Sequence, residues 1–538
     1  MTHRPLAAPA SYDPDVVELA PAETRDEIVA DPKRRMLILA AMCVALVGVV
    51  ASISALNVAQ QALAADLDAS QSQVLWIING YTLTLAALLM PVGAIGDRWG
   101  RKPILMLGLA LFALSNLGAG FASSVEVLVA LRVVTGVAAA MIMPVTLSVI
   151  TTSFPTERRA RAIGVWAGFA ATGGILGLFG SAAIIDNATW PWVFGIPVAF
   201  ATISLILTGP FVPHSREHAH AGFDVGGSLL SVVAVGGLVL AVQEGPERGW
   251  TSSLTVIALV AGTVGAVLFM VTSLRRDHPL LDMRIFADRS LTAASLSLLV
   301  IFGVLFSLLL VLLQLFQAVF GYTALGAACG LLPLALVTLP LSIVAPTIAE
   351  RAGLRNTLVV GMLVLAGGLA AMALLVDAQR GYWFILPGLT MVAAGIGFCM
   401  SPSTAAITSS LPEEKQGVAS ALNDTVREIG GAIGIALLGS VLNAAFRSNL
   451  EPTTSALPPG LADRASEGIG GALATAGQLG PDGAGLLTAA QNAFVDGMRP
   501  ALLIGAAIAF AAAAYIAARG PKRNAAEPTS AWPSSPYP

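Results

Sequence analysis

Fourteen long apolar segments, separated by short polar ones, run along this chain of 538 residues. Each segment holds about 20 residues, which is the length that an α-helix needs to cross the hydrocarbon core of a bilayer. A transmembrane β-strand would need only about 9–11 residues of alternating polarity. The pattern therefore predicts an all-α integral membrane protein with fourteen transmembrane helices, near residues 36–60, 72–93, 104–122, 126–150, 161–184, 191–213, 224–243, 252–273, 291–315, 324–349, 357–377, 383–410, 417–443 and 498–519.

Both ends of the chain lack this pattern. Residues 1–34 are rich in Pro, Asp and Glu, and no short apolar stretch followed by a small-residue cleavage site marks them as a secretory signal. Residues 520–538 are rich in Pro and Ser. Because such segments cannot bury enough apolar surface to fold, we expect both to be disordered cytoplasmic tails.

The basic residues indicate the orientation. An even number of spans places both termini on one side, and with that side taken as the cytoplasm, 22 of the 29 Lys and Arg residues fall in cytoplasmic segments. Inner loops carry an excess of Lys and Arg, so we predict an N-in/C-in topology. The exceptions are five residues in outer loops and two within spans, namely Arg248, Arg380, Arg447, Arg464 and Arg499 outside and Arg132 and Arg427 within.

The composition excludes several other classes of protein. The chain is 56% hydrophobic and 11% charged, whereas soluble domains contain about 25% charged residues. A net charge of −3 offers no basic face to nucleic acid. The three cysteines lie far apart in apolar segments, so they predict neither a disulfide framework nor a metal site. We expect no cofactor and no metal, and interpret His214, His218 and His220 as part of a solvated loop.

Two short motifs recur at nearly the same offset. Residues 97–102 (DRWGRK) follow the second span and match residues 350–355 (ERAGLR) after the tenth span, 253 positions later. Residues 154–158 (FPTER) match residues 411–415 (LPEEK), 257 positions later. Chance similarity of short basic loops is the alternative. Duplicated halves with a binding site between them are typical of secondary transporters.

The repeat predicts two pseudo-symmetric six-helix halves with two inserted central helices. The expected order is the N-terminal tail (1–34), the first half (35–213), the two-helix insert with its flanking loops (214–290), the second half (291–519) with an extracytoplasmic loop (444–497), and the C-terminal tail (520–538).

A family resemblance enters through the first of these motifs. Residues 93–102 read GAIGDRWGRK and resemble the signature G-x-x-x-D-R-x-G-R-K of the major facilitator superfamily. Arg132 and Gly136 resemble that family's span-four motif. Residues 57–59 (NVA) resemble a span-one motif of its drug:proton antiporter branch, and residues 190–194 (WPWVF) resemble the start of its span six.

The second half is similar to a narrower group. Residues 423–431 (NDTVREIGG) and the long loop 444–497 resemble fourteen-span actinobacterial pumps for multiple drugs and quaternary ammonium compounds. The resemblance covers roughly residues 35–519. It implies alternating access and export of drugs in exchange for protons.

The chain departs from the family pattern at several positions. The branch usually carries an acid in span one, where this chain has Ser52, and the quaternary-ammonium pumps often carry one in span two, where it has Asn79. The span-five antiporter motif lacks its proline and its closing glycine pair, which are Leu178, Ser181 and Ala182 here. The usual coupling site is therefore absent from span one.

Three of the four charges deep within spans lie together on span thirteen. Ionisable groups in a bilayer cost about 2.5–3.5 kcal/mol or more each, so they are functional candidates. Asp424 and Glu428 are four residues apart and share a helix face. One can pair with Arg427 and stay ionised, while desolvation and repulsion favour the protonated form of the other. We predict that Asp424 and Glu428 carry the exchanged proton with Arg427 setting their balance; a static ion-pair network is the alternative.

Arg132 is the fourth buried charge. The resemblance implies a role in proton transfer beside a central cavity. The alternative is an anchor, with hydrogen bonds from the guanidinium to backbone carbonyls of span one.

Charged residues in the two related cytoplasmic loops suggest a gate. An acid at the end of one helix and an Arg on its neighbour can hold the inner side closed while the site opens outward. Alternatively, these loops only fix the orientation. The candidate gating residues are Asp97, Arg98, Arg101, Lys102, Glu350 and Arg351.

Polar and aromatic residues within spans are candidates for substrate contact, since a cavity for lipophilic drugs needs apolar and aromatic walls with few polar groups. Packing against neighbouring helices is the alternative for each of them. They are Asn79, Tyr81, Trp166, Gln314 and Gln317.

The sequence thus predicts a proton-coupled exporter of small lipophilic or cationic drugs, antiseptics or antibiotics in the bacterial cytoplasmic membrane. The alternatives are an exporter of an endogenous metabolite or antibiotic, a nutrient facilitator or symporter, and a non-transporting receptor. No nucleophile–base pair, metal set or phosphate loop appears, so we do not expect an enzyme. The expected partners are a small-molecule substrate, protons and the lipid bilayer, with no nucleic acid, and we expect a monomer.

Overall fold

The computed structural model describes residues 29–214 and 223–521, and these residues form helices joined by short turns, without a strand. The α-helices are α1 (Pro32–Asp66), α2 (Gln71–Trp99), α3 (Arg101–Ala119), α4 (Val125–Ser153), α5 (Thr156–Ile185), α6 (Gly195–Phe211), α7 (Val225–Arg248), α8 (Ser253–Arg275), α9 (Arg289–Gln314), α10 (Ala324–Gly330), α11 (Leu332–Ala352), α12 (Leu354–Leu375), α13 (Tyr382–Thr408), α14 (Gln416–Thr454), α15 (Pro459–Ser466), α16 (Ile469–Gln478) and α17 (Ala484–Arg519).

The described helices include fourteen that are long and apolar enough to span a membrane, which confirms the all-α prediction. Helices α10 and α11 together form one span, a 3₁₀ turn at Trp190–Phe194 precedes α6, and a π-helical turn at Leu315–Val319 follows α9. Of the predicted tails, residues 1–28 and 522–538 lie outside the described residues, as do His218 and His220. The exposed His214 ends the first described range.

Local sequence signals set several helix boundaries. Pro32 begins α1 behind the N-cap Asp31, whose carboxylate accepts a hydrogen bond from the Lys33 amide at 2.9 Å. The turn between α2 and α3 depends on Gly100, with φ of 108°, and the turn between α11 and α12 on Gly353, with φ of 87°. Residues that carry a Cβ atom rarely adopt a positive φ, whereas glycine adopts it readily. The two related loops therefore make the same kind of turn.

The spans pack as two groups joined by an insert. In the first group α1 packs against α5 and α6, and α3 against α4 and α6; in the second, α12 packs against α13 and α17, and α9 against α14. The groups meet mainly where α2 contacts α14 and where α5 contacts α11. Because the number of spans is even, α1 begins and α17 ends on one side of the bundle. We call this the terminal side and the opposite one the distal side.

The inserted helices α7 and α8 form a close pair beside this junction. A Cβ on Gly237 would lie 2.7 Å from the Cα of Gly262, so glycine allows the two backbones to approach closely. On the terminal side, Asp224 at the start of α7 forms an ion pair with Arg276 after α8 and accepts a hydrogen bond from the Leu280 amide at 3.0 Å. Helix α7 contacts α2 and α14 of the two groups.

The segment predicted as the loop 444–497 is mostly helical. Helix α14 continues to Thr454, and α17 begins at Ala484, so both spans extend beyond their expected ends on the distal side. The short helices α15 and α16 pack against each other between them. The Gln491 side chain donates a hydrogen bond to the Ala318 carbonyl at 3.1 Å, which attaches this segment to the second group.

Candidate functional site

A cavity of about 410 Å³ lies between the two groups of spans. Its lining residues come from α1, α2, α5, α7, α9 and α14, and all of them lie in the middle or distal part of their helix. The wall is largely apolar. Glu428 is the one ionisable residue on it in the part of the chain that the structure describes. Its polar neighbours on the wall include Gln60, Asn79, Thr82, Gln243, Gln314 and Asn443.

The terminal half below the cavity is sealed by close helix contacts. A Cβ on Gly93 of α2 would lie 2.6 Å from the Gly417 carbonyl oxygen of α14. A Cβ on Gly164 of α5 would likewise lie 2.6 Å from the Ser342 carbonyl oxygen of α11. Real Cβ atoms essentially never lie this close to another heavy atom. Glycine at these positions therefore lets the two groups of spans close against each other.

Polar contacts reinforce the first of these seals. The buried carboxylate of Asp97, at the end of α2, accepts hydrogen bonds from the Gly417 amide at 2.8 Å and the Val418 amide at 3.1 Å. These amides belong to the first turn of α14, where backbone N–H groups lack partners within the helix and carry partial positive charge. Asp97 also forms an ion pair with Arg101 at 3.0 Å. One carboxylate thus holds the N-terminus of α14.

The turn before α14 adds further contacts between the groups. Arg101 donates to the Glu413 carbonyl at 3.2 Å, and the Glu413 side chain forms an ion pair with Arg159 of α5 at 3.0 Å. Sequence reasoning did not identify Glu413, Gly417 or Arg159 as gate residues. The available signal was their position in the second pair of repeated loops or next to it.

Three of the other candidate gating residues, Lys102, Glu350 and Arg351, make no contact between the two groups that is identified in residues 29–214 and 223–521. Lys102 donates to the Gly209 carbonyl at 2.7 Å, within the first group. Arg98 is exposed. Glu350 and Arg351 are also exposed, so the loop of the second group does not repeat the clamp that Asp97 forms. The contacts that these two loops make are therefore asymmetric although the loop sequences are related.

The charges on α14 occupy two different environments. Arg427 forms an ion pair with Asp424 at 3.1 Å, and Asn423 donates to the same carboxylate oxygen at 3.1 Å. The other Asp424 oxygen is buried without a partner among the described residues. Glu428 lines the cavity and has no ion-pair partner in the described part of the chain. The spacing predicts that Asp424 and Glu428 share one helix face, but only Glu428 reaches the cavity.

Two aromatic rings hold the Arg427 guanidinium in place. It lies 4.3 Å from the centre of the Phe302 ring on α9 and 5.4 Å from that of Trp166 on α5. Such contacts stabilise a cation that has left water. Arg427 therefore connects α14 to both groups of spans.

Arg132 makes the contacts of the anchor alternative. Its guanidinium donates to the Ser52 hydroxyl at 3.0 Å, the Ser52 carbonyl at 3.4 Å and the Ile77 carbonyl at 3.2 Å. It also lies 4.3 Å from the centre of the Tyr81 ring. These partners are neutral. Ser52, where the resemblance leads one to expect an acid, is thus the direct partner of Arg132.

The candidates for substrate contact divide into two sets. Asn79 and Gln314 line the cavity, whereas Tyr81, Trp166 and Gln317 do not. The Tyr81 hydroxyl donates to the Val49 carbonyl at 3.0 Å, and the Trp166 indole donates to the Thr146 hydroxyl at 3.2 Å. Both rings are fully buried, and each is stacked on an arginine. Tyr81 and Trp166 therefore contribute to helix packing in this conformation. Gln317 is exposed and lies away from the cavity.

Sequence reasoning missed a second set of polar wall residues, Gln60, Thr82, Gln243 and Asn443. Each is a polar residue in or beside a predicted span, which was the available signal. Gln243 lies on the inserted helix α7, so the insert contributes to the wall of the cavity.

Comparison with known proteins identifies the family. The model of the Major Facilitator Superfamily matches residues 40–435. The chain belongs to this superfamily. It is 32% identical to the multidrug efflux pump LfrA of Mycolicibacterium smegmatis over 93% of this chain and 98% of LfrA. It is 30% identical to the methyl viologen resistance protein SmvA of Salmonella typhimurium over 86% of this chain and 93% of SmvA.

A solved structure supports the fold. The proton:xylose symporter XylE aligns with a TM-score of 0.58 at 13% identity, over 91% of this chain and 96% of XylE. Together with the fourteen spans, the family places the chain in the bacterial cytoplasmic membrane as a multi-pass transporter.

Proposed function

We propose that this protein exports small lipophilic or cationic drugs, including antiseptics and antibiotics, in exchange for protons by alternating access. The single observation that carries the proposal is the position of Glu428 on the wall of a mainly apolar cavity between the two groups of spans. The relatives LfrA, a multidrug efflux pump, and SmvA, a methyl viologen resistance protein, support the substrate class.

The cavity chemistry suits exchange of a cation against a proton. A carboxylate in an apolar wall attracts a lipophilic cation, and protonation removes its charge. Glu428 can therefore bind a cation or a proton, because the protonated carboxyl group has lost the charge that attracts the cation. Protonation from the distal side would favour release of the cation there. Loss of the proton on the terminal side would restore the attraction for a new one.

Asp424 and Arg427 have a different part in this proposal. Asp424 is fully buried and paired with Arg427, as expected for a static ion pair. Its second oxygen is buried without a partner among the described residues, so protonation there would remove a negative charge that is not compensated locally. We assign the exchanged proton first to Glu428, with Asp424 as the second carrier and Arg427 balancing both. Arg132 positions α1, α2 and α4 around the cavity.

The gate supports alternating access. Asp97 holds the terminal end of α14, and Glu428 lies on the same helix three turns further along. With the predicted orientation, the described conformation is closed to the cytoplasm. Opening the terminal side requires separation of α2 from α14 and of α5 from α11. A change at Glu428 and a change at the gate therefore involve one rigid element.

Ethidium efflux from cells, with and without a protonophore, tests the proposal. The wild-type protein should extrude ethidium only while the proton gradient lasts. Glu428→Gln should lower the efflux rate about ten-fold or more, because the carboxylate binds both the proton and the cationic substrate. Glu451→Gln is the matched control, since Glu451 is an exposed acid at the distal end of the same helix. Ethidium efflux that is unaffected by the protonophore would contradict the proposal. Efflux that stays fully coupled to the proton gradient in both Glu428→Gln and Asp424→Asn would also contradict it.

A further inference from the structure

The inserted helix α7 forms part of the cavity wall. Its buried Val235 and Val239 pack against Ala86 of α2 and against Ile429 and Ala432 of α14. A Cβ on Gly236 would lie 3.2 Å from the Cβ of Ala87, so α7 also approaches α2 closely. The insert thus fills the groove between the two groups beside Glu428.

One polar side chain of α7 reaches the cavity. Gln243 lines it together with Val239 and Val242. Its amide nitrogen donates to the Thr82 hydroxyl of α2 at 3.0 Å. Its carbonyl oxygen is buried and has no hydrogen-bond partner among the described residues. A buried acceptor without a donor is unfavourable, so a donor that arrives in the cavity gains by meeting it.

The amide lies near the candidate charge site. Gln243 is one helical turn, about 6 Å, distal to Val239. Ile429, the neighbour of Glu428, packs against the apolar cluster that contains Val239. The carboxylate and the amide thus lie one to two turns apart on one cavity, within the length of a drug-sized cation. The bond from Gln243 to Thr82 fixes the orientation of the amide and leaves its carbonyl as the free acceptor.

We propose that Gln243 is a specificity-determining residue for the transported substrate, accepting a hydrogen bond from an N–H or O–H group of the bound molecule. Glu428 attracts cations in general. Gln243 selects among them those that carry a donor away from the charge centre. This inference rests on the proposed function and gives the insert a direct role in substrate selection.

Binding of two cations to the purified protein tests this role. Proflavine carries amino N–H donors, whereas tetraphenylphosphonium has none. Gln243→Met keeps the length of the side chain and removes the acceptor. We expect it to raise the Kd of proflavine about five- to ten-fold, the worth of one hydrogen bond, and that of tetraphenylphosphonium less than two-fold. The ratio of the two Kd values is the readout.

Two further variants separate recognition from structure. Gln243→Glu retains an acceptor oxygen, and the Thr82 hydroxyl can donate to it, so the Kd ratio should stay within about two-fold of wild type. Gln379→Met, in an exposed distal loop, is the matched surface control and should change neither Kd. If Gln243→Met does not fold, Gln243→Leu replaces it, with the same expected change in the ratio.

The remaining outcomes are each decisive. Equal weakening of both cations, or no change in either, would overturn the assignment of Gln243 while leaving the exporter proposal intact. Failure of wild type to bind either cation would overturn the proposed function itself, and the inference with it.

Discussion

Glu428 and Asp424 lie one helical turn apart, yet the protein treats the two carboxylates differently. Asp424 is fully buried against Arg427, and Glu428 is 8% exposed on the cavity wall. A buried ion pair contributes little net stability but becomes costly when one partner is removed. The pair therefore fixes the position of Arg427 between two aromatic rings, whereas Glu428 remains on the cavity wall, where we propose that the proton is exchanged.

Removal of Arg427 alone tests the buried pair. Arg427→Met leaves Asp424 without its counter-charge, which costs about 3–5 kcal/mol in buried pairs, whereas replacing both partners by apolar residues is often close to neutral. We expect Arg427→Met to lower the thermal unfolding midpoint in detergent. The double variant Asp424→Leu/Arg427→Met should recover most of the loss. Losses that simply add in the double variant would contradict the pairing.

At the level of elements, α14 connects the proton candidates to the gate. Its first turn is held by Asp97 of α2, and its middle carries Asp424, Arg427 and Glu428. The N-cap residue of this helix, Lys415, makes no side-chain hydrogen bond to its N-terminus. Asp97 supplies the missing acceptor from the other group of spans.

Loss of the Asp97 charge should weaken the closed gate. Asp97→Asn keeps the shape but removes the attraction to the helix N-terminus and to Arg101, together about 1–2 kcal/mol or a ten-fold change in population. A cysteine at Ser401, which is buried in the closed state, reports opening when Cys43, Cys329 and Cys399 are replaced. Its labelling by a permeant thiol reagent should quicken about ten-fold.

A matched variant completes this experiment. Asp463→Asn alters an exposed acid of α15 and should leave the labelling rate at the wild-type value. An unchanged rate in Asp97→Asn would show that the glycine contacts alone close the terminal side.

For the whole molecule, hydropathy predicted the fourteen spans because the bilayer requires each one to be long and apolar. The repeated loops predicted two related halves, and the structure adds that their shared glycines, Gly100 and Gly353, both have a positive φ. The partners of Asp97 and the place of Gln243 could not be predicted. Periodicity identifies a helix face, but it does not say which other helix that face will meet.

The predicted orientation can be tested on intact cells. In the cysteine-free protein, an impermeant maleimide should label Gln379→Cys from outside, because Gln379 lies in an exposed distal loop. Glu350→Cys, exposed on the terminal side, should react only after the cells are permeabilised. The reason is the excess of Lys and Arg on the terminal side. The reverse labelling pattern would invert the topology.

Helix α14 runs without interruption for 39 residues, from the gate into the distal segment. At about 1.5 Å per residue it is a lever arm of roughly 58 Å. A tilt of about 10° around the end held by Asp97 would shift the far end by roughly 10 Å. The outer surface formed by α15 and α16 would then move with every transport cycle. Under the proposed transport cycle and the predicted orientation, an antibody fragment that binds this surface would recognise one state of the protein and arrest it from outside the cell.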